Sequence, residues 1–421
     1  MKLTSDDKAV LSALADRAGA MIDQTVAWSN LNSGSRHLAG LERQADVLFP
    51  VLQSLPGVAE RVGLLDSQEV TATGEVRAMA HADGLRLTVR PDAPVQIALT
   101  GHYDTVYPAD SPFQTVARRA DGALHGPGVA DMKGGLSVML AALAAFEAHP
   151  LAPGLGYQVL ISPDEEIGSV ASAPLLAALG ERAQLGLTYE PALASGALAA
   201  GRKGSGNFHI VVRGRAAHAG RDFAAGRNAV TAAARLANAL DGINGAFPGL
   251  TLNVARIEGG APLNQVPDLA IVRFNVRLPD ARARAFVEGE ISRLLRAAEA
   301  DGISLSLHGG VTRPPKPFSP EQQALFSGVR QVGALIGQDI VWAESGGVCE
   351  GNNLFAAGVP NVDSLGVRGG DIHSEAEHAF PESFVERAQL SALLLIKIAE
   401  GGIDAPGLKA ARLAALRQEA G

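Results

Sequence analysis

The sequence predicts an α/β protein with a second, α+β domain inserted into the first. Three observations carry this. Short apolar strands alternate with amphipathic helices from residue 5 to Gly201. After Gly201 the rhythm changes to strand, helix, two strands, helix, strand, the order of a ferredoxin-like domain. Beyond the stretch Arg313-Pro314-Pro315-Lys316-Pro317, read as a linker, α/β character returns and runs to about residue 401. A chain of 421 residues also exceeds one ordinary core, so two domains are expected.

Taken in order, residues 5–30 carry apolar positions at helical spacing, and Thr4 to Asp7 has the pattern of a capping box. A second amphipathic helix is predicted from about Leu41 to Leu55. Gln96 to Thr100 is a short apolar strand that runs into Gly101-His102-Tyr103-Asp104. Gly134 to Ala148 is an Ala- and Leu-rich helix. Tyr157 to Ser162 is a strand that leads into Pro163-Asp164-Glu165-Glu166, and Leu185 to Tyr189 is a strand that ends in Glu190. These segments predict a sheet covered on both faces. In the inserted part, Phe208–Arg213, Leu250–Glu258, Leu269–Arg277 and Ile303–Leu307 are strands, while Arg227–Leu240 and Asp280–Ala298 are helices. Residues 403–421 are read as a loosely attached final helix.

Composition narrows the function. The chain is 47% hydrophobic and 19% charged, as a folded globular protein is. A net charge of -8 with no basic tract argues against nucleic acid, and the Arg-containing run Arg282 to Arg296 reads as a solvated helix face. One cysteine, Cys349, allows neither an internal disulfide nor a thiolate zinc site. The first seven residues lack the basic-then-apolar pattern of a secretory signal, and the apolar runs are broken before membrane-spanning length. A cytoplasmic protein with no membrane contact is therefore expected.

The informative fact is where the polar residues fall. His102, Glu165, Glu166 and Glu190 lie at the C-terminal ends of predicted strands, the edge at which open α/β sheets bind ligands. Asp131 lies in Gly128-Val129-Ala130-Asp131-Met132-Lys133-Gly134-Gly135, a loop opening into a helix, and His373 in the Gly-rich loop Gly369 to Ser374. Two imidazoles and several carboxylates without a thiolate suit zinc, or a neighbouring divalent metal, in a hydrolytic site. Each residue alone admits a plainer reading. His102 by itself is more often a structural histidine, Asp131 is at least as readily a helix N-cap, and Glu165-Glu166 reads as a solvated pair. Adjacent acids after a strand do point to opposite sides, so one can reach a metal while its neighbour faces water.

Taken together, the order and context resemble the di-zinc amidohydrolase family of glutamate carboxypeptidase, acetylornithine deacetylase, succinyl-diaminopimelate desuccinylase and aminoacylase. The matching pieces are Gly101-His102-Tyr103-Asp104-Thr105-Val106, the Gly128–Gly135 run, Glu165-Glu166, Tyr189-Glu190-Pro191, and His373-Ser374 with Glu377 downstream. The resemblance spans nearly the whole chain. It implies a metallopeptidase-type catalytic domain with a central mixed sheet, residues 1–202 and 312–421, and a lid and dimerisation domain, residues 203–311. It also implies roles. Asp131 bridges two zinc ions, for which cobalt or manganese can substitute; His102 and Glu190 complete one site, Glu166 and His373 the other. Asp104 orients the His102 imidazole. Glu165 is the general base, a task for a carboxylate beside the metals. The peptide bond from Asp131 to Met132 is expected to be cis.

The inserted domain adds His218, in Gly214-Arg215-Ala216-Ala217-His218-Ala219-Gly220. In the family this histidine stabilises the oxyanion and commonly comes from the partner subunit, so a homodimer through the inserted domain is expected. The alternative is a loop histidine without a role. Asn264 and Arg277 resemble positions that grip a substrate carboxylate; a surface ion pair is the other reading of Arg277. Ser345 to Asn352, with Gly346 and Gly347, resembles the family's Gly-rich substrate loop, although relatives tend to carry Asp where Glu350 stands. Cys349 is read as a small packing residue, not a nucleophile.

The leading reading is a glutamate-carboxypeptidase-like exopeptidase acting on a small peptide or N-acyl amino acid. An N-acyl amino acid deacylase of the acetylornithine type stands beside it, since both cut an amide one carbon from a carboxylate. A non-catalytic homologue that only binds metal or ligand is the reading from another class, and the presence of Glu165 and all five metal-ligand candidates argues against it.

Overall fold

The computed structural model of the chain describes residues 1–299 and 301–419. Its centre is a six-stranded mixed sheet. From one edge the strands are Val58–Val62, Gly84–Val89, Leu155–Ser162, Val95–His102, Leu185–Thr188 and Asn361–Val362. The last four run parallel, and the first two are antiparallel additions. Val95–His102 and Leu155–Ser162 are buried almost throughout, which is why they read as unbroken apolar runs. The edge strand Val58–Val62 is largely exposed and its neighbour Gly84–Val89 partly polar, so sequence patterning passes over both.

Both faces of the sheet are covered. Ile97, Leu99, Val159 and Ile161 share one core with the helix Lys133–Glu147 and the helix Glu382–Ala399 behind it. Ala98 and Leu160, one residue out of phase, pack with Leu176, Leu179 and Leu354 of the helices Ala173–Arg182 and Glu350–Ala356. The predicted N-terminal helix is two, Ser5–Asp16 and Ala18–Ser29, broken at Arg17. Its capping box is formed: Thr4 Oγ1 accepts from Asp7 N at 3.1 Å and Asp7 Oδ2 accepts from Thr4 N at 2.9 Å. The C-terminal helix Ala405–Glu419 is docked rather than loosely attached. Arg412 is buried with its guanidinium 3.8 Å from the Phe355 ring centroid, and Lys409 Nζ donates to Gly180 O at 2.6 Å. The last two residues of the predicted final helix lie outside the described residues.

A separate four-stranded antiparallel sheet follows, in the order Thr251–Gly259, Leu269–Leu278, Gly204–Arg213, Ser304–Arg313. The helices Ala229–Asp241 and Ala281–Ala298 cover one face over a core that includes Phe208, Ile210, Val272 and Val276. The opposite face looks toward the central sheet. There the hairpin Ser67–Val70 and Val76–Met79 meets it through Val70, Val211 and Ile271. The last strand runs to Arg313, six residues beyond the predicted end at Leu307. What reads as the start of a Pro-rich linker is therefore a buried strand terminus. Among the described residues no helix is long and apolar enough to cross a membrane.

Candidate metal centre and active-site cleft

The three adjacent parallel strands end on one edge, and their chain continuations build the site. His102 is the last residue of Val95–His102. Ser162 ends the next strand and leads into the short 3-10 turn Glu165–Ile167. Thr188 ends the third, two residues before Glu190. The differing directions of Glu165 and Glu166 thus come from a turn, not from strand pleat as the sequence suggests.

Five side chains from across the chain converge there. His102 Nε2 is 3.1 Å from Asp131 Oδ1 and 3.9 Å from Glu190 Oε1. His373 Nε2 is 3.2 Å from Asp131 Oδ2 and 3.2 Å from Glu166 Oε2. Ligand atoms of His102, Asp131 and Glu190 lie within 4.8 Å of one another, as do those of Asp131, Glu166 and His373. Asp131 belongs to both groups, one oxygen facing each imidazole. Met132, not Asp131, occupies the helix N-cap position, so the capping alternative for Asp131 falls away. The Asp131–Met132 peptide bond is cis.

The donor set fits divalent cations. Burial pushes Glu166 up to about 8, with the Asp131 charge adding to it, and burial followed by Glu165 pushes Glu190 well above its ordinary range. Glu190 Oε1 is buried without a hydrogen-bond partner. Burial also opposes the charged form of Asp131, but hydrogen bonds from His102 and His373 outweigh it and hold that carboxyl low. Hydrogen bonds to Asp131 and then Glu166 push His373 up to about 11. Three buried carboxylates around two imidazoles, with an oxygen left over, is the pattern that cations neutralise.

The ligand loops are held by two further acids. Asp104 lies behind His102, its Oδ1 3.3 Å from Nδ1. The same carboxylate accepts the main-chain N–H groups of Glu165 and Glu166, each at 3.1 Å, and the Ser35 hydroxyl at 2.7 Å. Glu377 accepts from the main-chain N–H groups of Gly128, Ala130 and Asp131 at 3.0–3.1 Å, and from the Tyr107 hydroxyl at 2.7 Å. Tyr107 Oη also lies 2.8 Å from Ser374 O, so Glu377 ties the Asp131 loop to the His373 loop.

Glu165 faces different company. Arg313, 1% exposed, donates from Nη2 to the Glu165 carboxylate and main-chain carbonyl, and from Nη1 to Asn353 Oδ1 at 2.8 Å. Glu165 and the metal-ligand candidates Asp131, Glu166, Glu190 and His373 line one cavity of about 460 Å³. Arg277 and Gly347 also line it. Arg277 makes no ion pair among the described residues, and its Nη1 is buried without a partner, so the surface-ion-pair reading does not hold. Arg202 on the same wall is neutralised by a bidentate pair with Asp363. Gly346, Asn264 and His218 are not among the described residues lining this cavity. His218 is exposed, and its Nδ1 accepts from Gly220 N and Arg221 N at 3.1 and 3.2 Å. Burial pushes the Cys349 thiol far up, and Sγ donates to Asp363 Oδ2 at 3.0 Å; it is no nucleophile.

Residues 98–397 match the model of peptidase family M20/M25/M40. The chain belongs to that family. Among relatives, the succinyl-diaminopimelate desuccinylase of Marinobacter nauticus is 28% identical over 346 residues, which cover 77% of this chain and 89% of that protein. Carboxypeptidase G2 of Pseudomonas sp. is 24% identical over 412 residues, covering 94% and 93%. Human carnosine dipeptidase 1 shares the fold, with a TM-score of 0.69 at 17% identity over 94% of this chain and 100% of that one. This M20 chain is accordingly a metal-dependent hydrolase of amide bonds. Sequence reasoning missed Arg313 and Tyr107 as parts of the M20 site. Arg313 was hidden by the prolines after it, and Tyr107 has no local signal, since its partners are about 270 residues away.

Proposed function

We propose that this enzyme is a di-zinc exopeptidase that releases a C-terminal amino acid, glutamate foremost, from a small peptide or N-acyl conjugate. Arg277 carries the reading. A guanidinium with a buried, unpartnered nitrogen on the wall of the metal-site cavity is a ready partner for a substrate carboxylate.

His102, Asp131 and Glu190 would hold one cation, and Asp131, Glu166 and His373 the other, with cobalt or manganese as substitutes for zinc. Bound there, the cations polarise a carbonyl and lower the pKa of water. Glu165 takes a proton from the attacking water and delivers it to the leaving amine. Asp104 keeps the His102 ring aimed. The Gly346-Gly347 loop and Asn264 border the substrate, and His218 of the partner in a homodimer donates to the carbonyl oxygen. The exposure of Phe223 and Leu263, close in sequence to His218 and Asn264, supports a covering partner there.

A second reading, an N-acyl amino acid deacylase, is favoured by the desuccinylase relatives. Steady-state kinetics with zinc, cobalt and manganese on glutamate conjugates, N-acetylornithine and N-succinyl-diaminopimelate decides between them. Higher kcat/KM on the glutamate conjugates is expected. Arg277→Met should raise KM for them by about 10²-fold, the scale of a lost charged hydrogen bond, with metal content unchanged. An unchanged KM removes the proposed anchor.

A further inference from the structure

Asp104 is fully buried, and among the described residues it pairs with no Arg or Lys. A buried carboxylate must replace its lost water with hydrogen-bond donors. Besides His102, its oxygens meet Glu165 N and Glu166 N, each at 3.1 Å, and Ser35 Oγ at 2.7 Å. The first two are main-chain groups, so Ser35 is the side chain that completes the set. Its hydroxyl could otherwise turn to Thr105 O, but that acceptor is uncharged and farther away, at 3.3 Å.

The orientation of Asp104 matters twice. His102 Nδ1 lies 3.1 Å from the Asp104 carbonyl and 3.3 Å from Oδ1, so the place of the aspartate sets the place of the ring. The same carboxylate holds the turn that begins at Glu165. The terminal torsion of an aspartate is broad, so its donors fix it.

Ser35 comes from a segment built for this close approach. Thr105 N donates to Ser33 O at 3.0 Å and Ser35 N to Thr105 O at 3.1 Å, on either side of a parallel bridge between Gly34 and Thr105. A Cβ on Gly34 would collide with Tyr107 O, so the glycine lets the two stretches close up. Asn32 Nδ2 donates to Tyr107 O and Pro108 O, each at 3.1 Å. Lys133 Nζ, two residues past Asp131, donates to Trp28 O at 3.0 Å and Leu31 O at 2.9 Å. The segment is thus tied to both the Asp131 loop and the continuation of the His102 strand. It lies ahead of residues 98–397, the part that matches the family model.

We propose that Ser35 is a positioning residue for the hydrolysis: through Asp104 it fixes the aim of the His102 ring and the turn that carries Glu165. The inference rests on the roles proposed above for Asp104, His102 and Glu165, and not on which conjugate is cut. The test loads the full chain with cobalt, whose visible absorption reports the geometry of its ligands. Ser35→Ala is expected to weaken cobalt binding about tenfold, the low end for a group behind a metal ligand, and to shift the absorption of the loaded enzyme. On any substrate turned over, kcat should fall about tenfold with KM changed by less than about twofold. Ser35→Thr keeps the hydroxyl and should restore the spectrum and most of kcat. Ser33→Ala is the matched control, since the Ser33 hydroxyl is buried without a partner, and it should change neither. If Ser35 acts through Asp104, adding Ser35→Ala to Asp104→Ala should change cobalt affinity by less than about twofold. Wild-type affinity and spectrum in Ser35→Ala, with weakened binding in Asp104→Ala, overturn the role of Ser35 alone. Wild-type affinity in Asp104→Ala overturns the reading of Asp104 as well. A loss in Ser35→Ala that Ser33→Ala matches, or that Ser35→Thr fails to recover, makes the segment a packing element and overturns the inference. The cobalt measurements need no substrate, so they stand even if the exopeptidase reading fails.

Discussion

Arg313 holds Glu165 at two points, the carboxylate and the main-chain carbonyl, from the strand that returns the chain out of the inserted sheet. Glu166, one residue on, has no guanidinium and lies instead 3.2 Å from the His373 imidazole. The two adjacent acids are thereby separated: one fixed by a cation of the protein, the other left to the metal centre. Asn353, from the helix Glu350–Ala356, buttresses the arginine in turn.

Replacing Arg313 should therefore act on turnover rather than on binding. Arg313→Met is expected to lower kcat by about 10²–10³-fold, within the range of positioned general-base catalysis, with KM within a few-fold and two metals retained. Arg313→Lys keeps the charge and should recover part of kcat. Loss of metal or a collapsed thermal transition, with no rescue by lysine, would indicate a purely structural residue.

The two glutamates should part company on metal analysis. Glu165→Ala is expected to abolish turnover and keep both metals; Glu166→Ala is expected to bind less metal, because it removes an oxygen from the Asp131–His373 group. Elemental analysis of the two purified variants decides it. Metal loss from the Glu165 variant alone would reverse the assignment.

His218 is expected to serve the site of the partner subunit. It lies outside the cavity lined by Glu165 in its own chain, on an exposed turn. Co-expressed Glu165→Ala and His218→Ala chains should regain part of the wild-type activity, since a mixed dimer contains one site with both groups intact. Activity near zero in verified mixed dimers, or a strictly monomeric enzyme, speaks against action across the interface.

A pH-dependent stability follows from Glu350. Burial pushes this carboxyl up to about 8 from an ordinary 4.5; Ser162 is its hydrogen-bond partner and Oε2 has none. A raised pKa means that the folded chain keeps a proton that the unfolded chain releases. Its contribution is complete below about pH 4.5 and is lost as pH rises to about 8. Glu350→Gln should thus melt above the wild type at pH 8 and close to it at pH 5, as measured by calorimetry. A constant offset at both pH values would show that the proton is not involved.

Much of this protein was legible in the chain alone. Unbroken apolar runs mark the buried parallel strands, because a strand covered on both faces has no polar side. Polar residues placed directly after those runs mark the edge where His102, Glu165, Glu166 and Glu190 fall, and the α+β insertion shows in its own rhythm. Exposed edges were the losses: Val58–Val62 carries no apolar alternation to read.

What the sequence by itself determined is which side chains are available and which strand ends present them. That is local chemistry, written in spacing and in residue type. Only the tertiary structure decided their partners. Asp131 meets both His102 and His373, Arg313 meets Glu165, and Tyr107 meets Glu377 across separations of 29 to 270 residues. Periodicity reports how one element meets its core and says nothing about which distant loop arrives beside it. The same limit hid a second cavity of about 850 Å³ that shares Glu166 and Ile167 with the first. Its floor comes from the inserted sheet and its wall from the hairpin Ser67–Met79, and neither segment has a concave surface until the chain folds the one over the other.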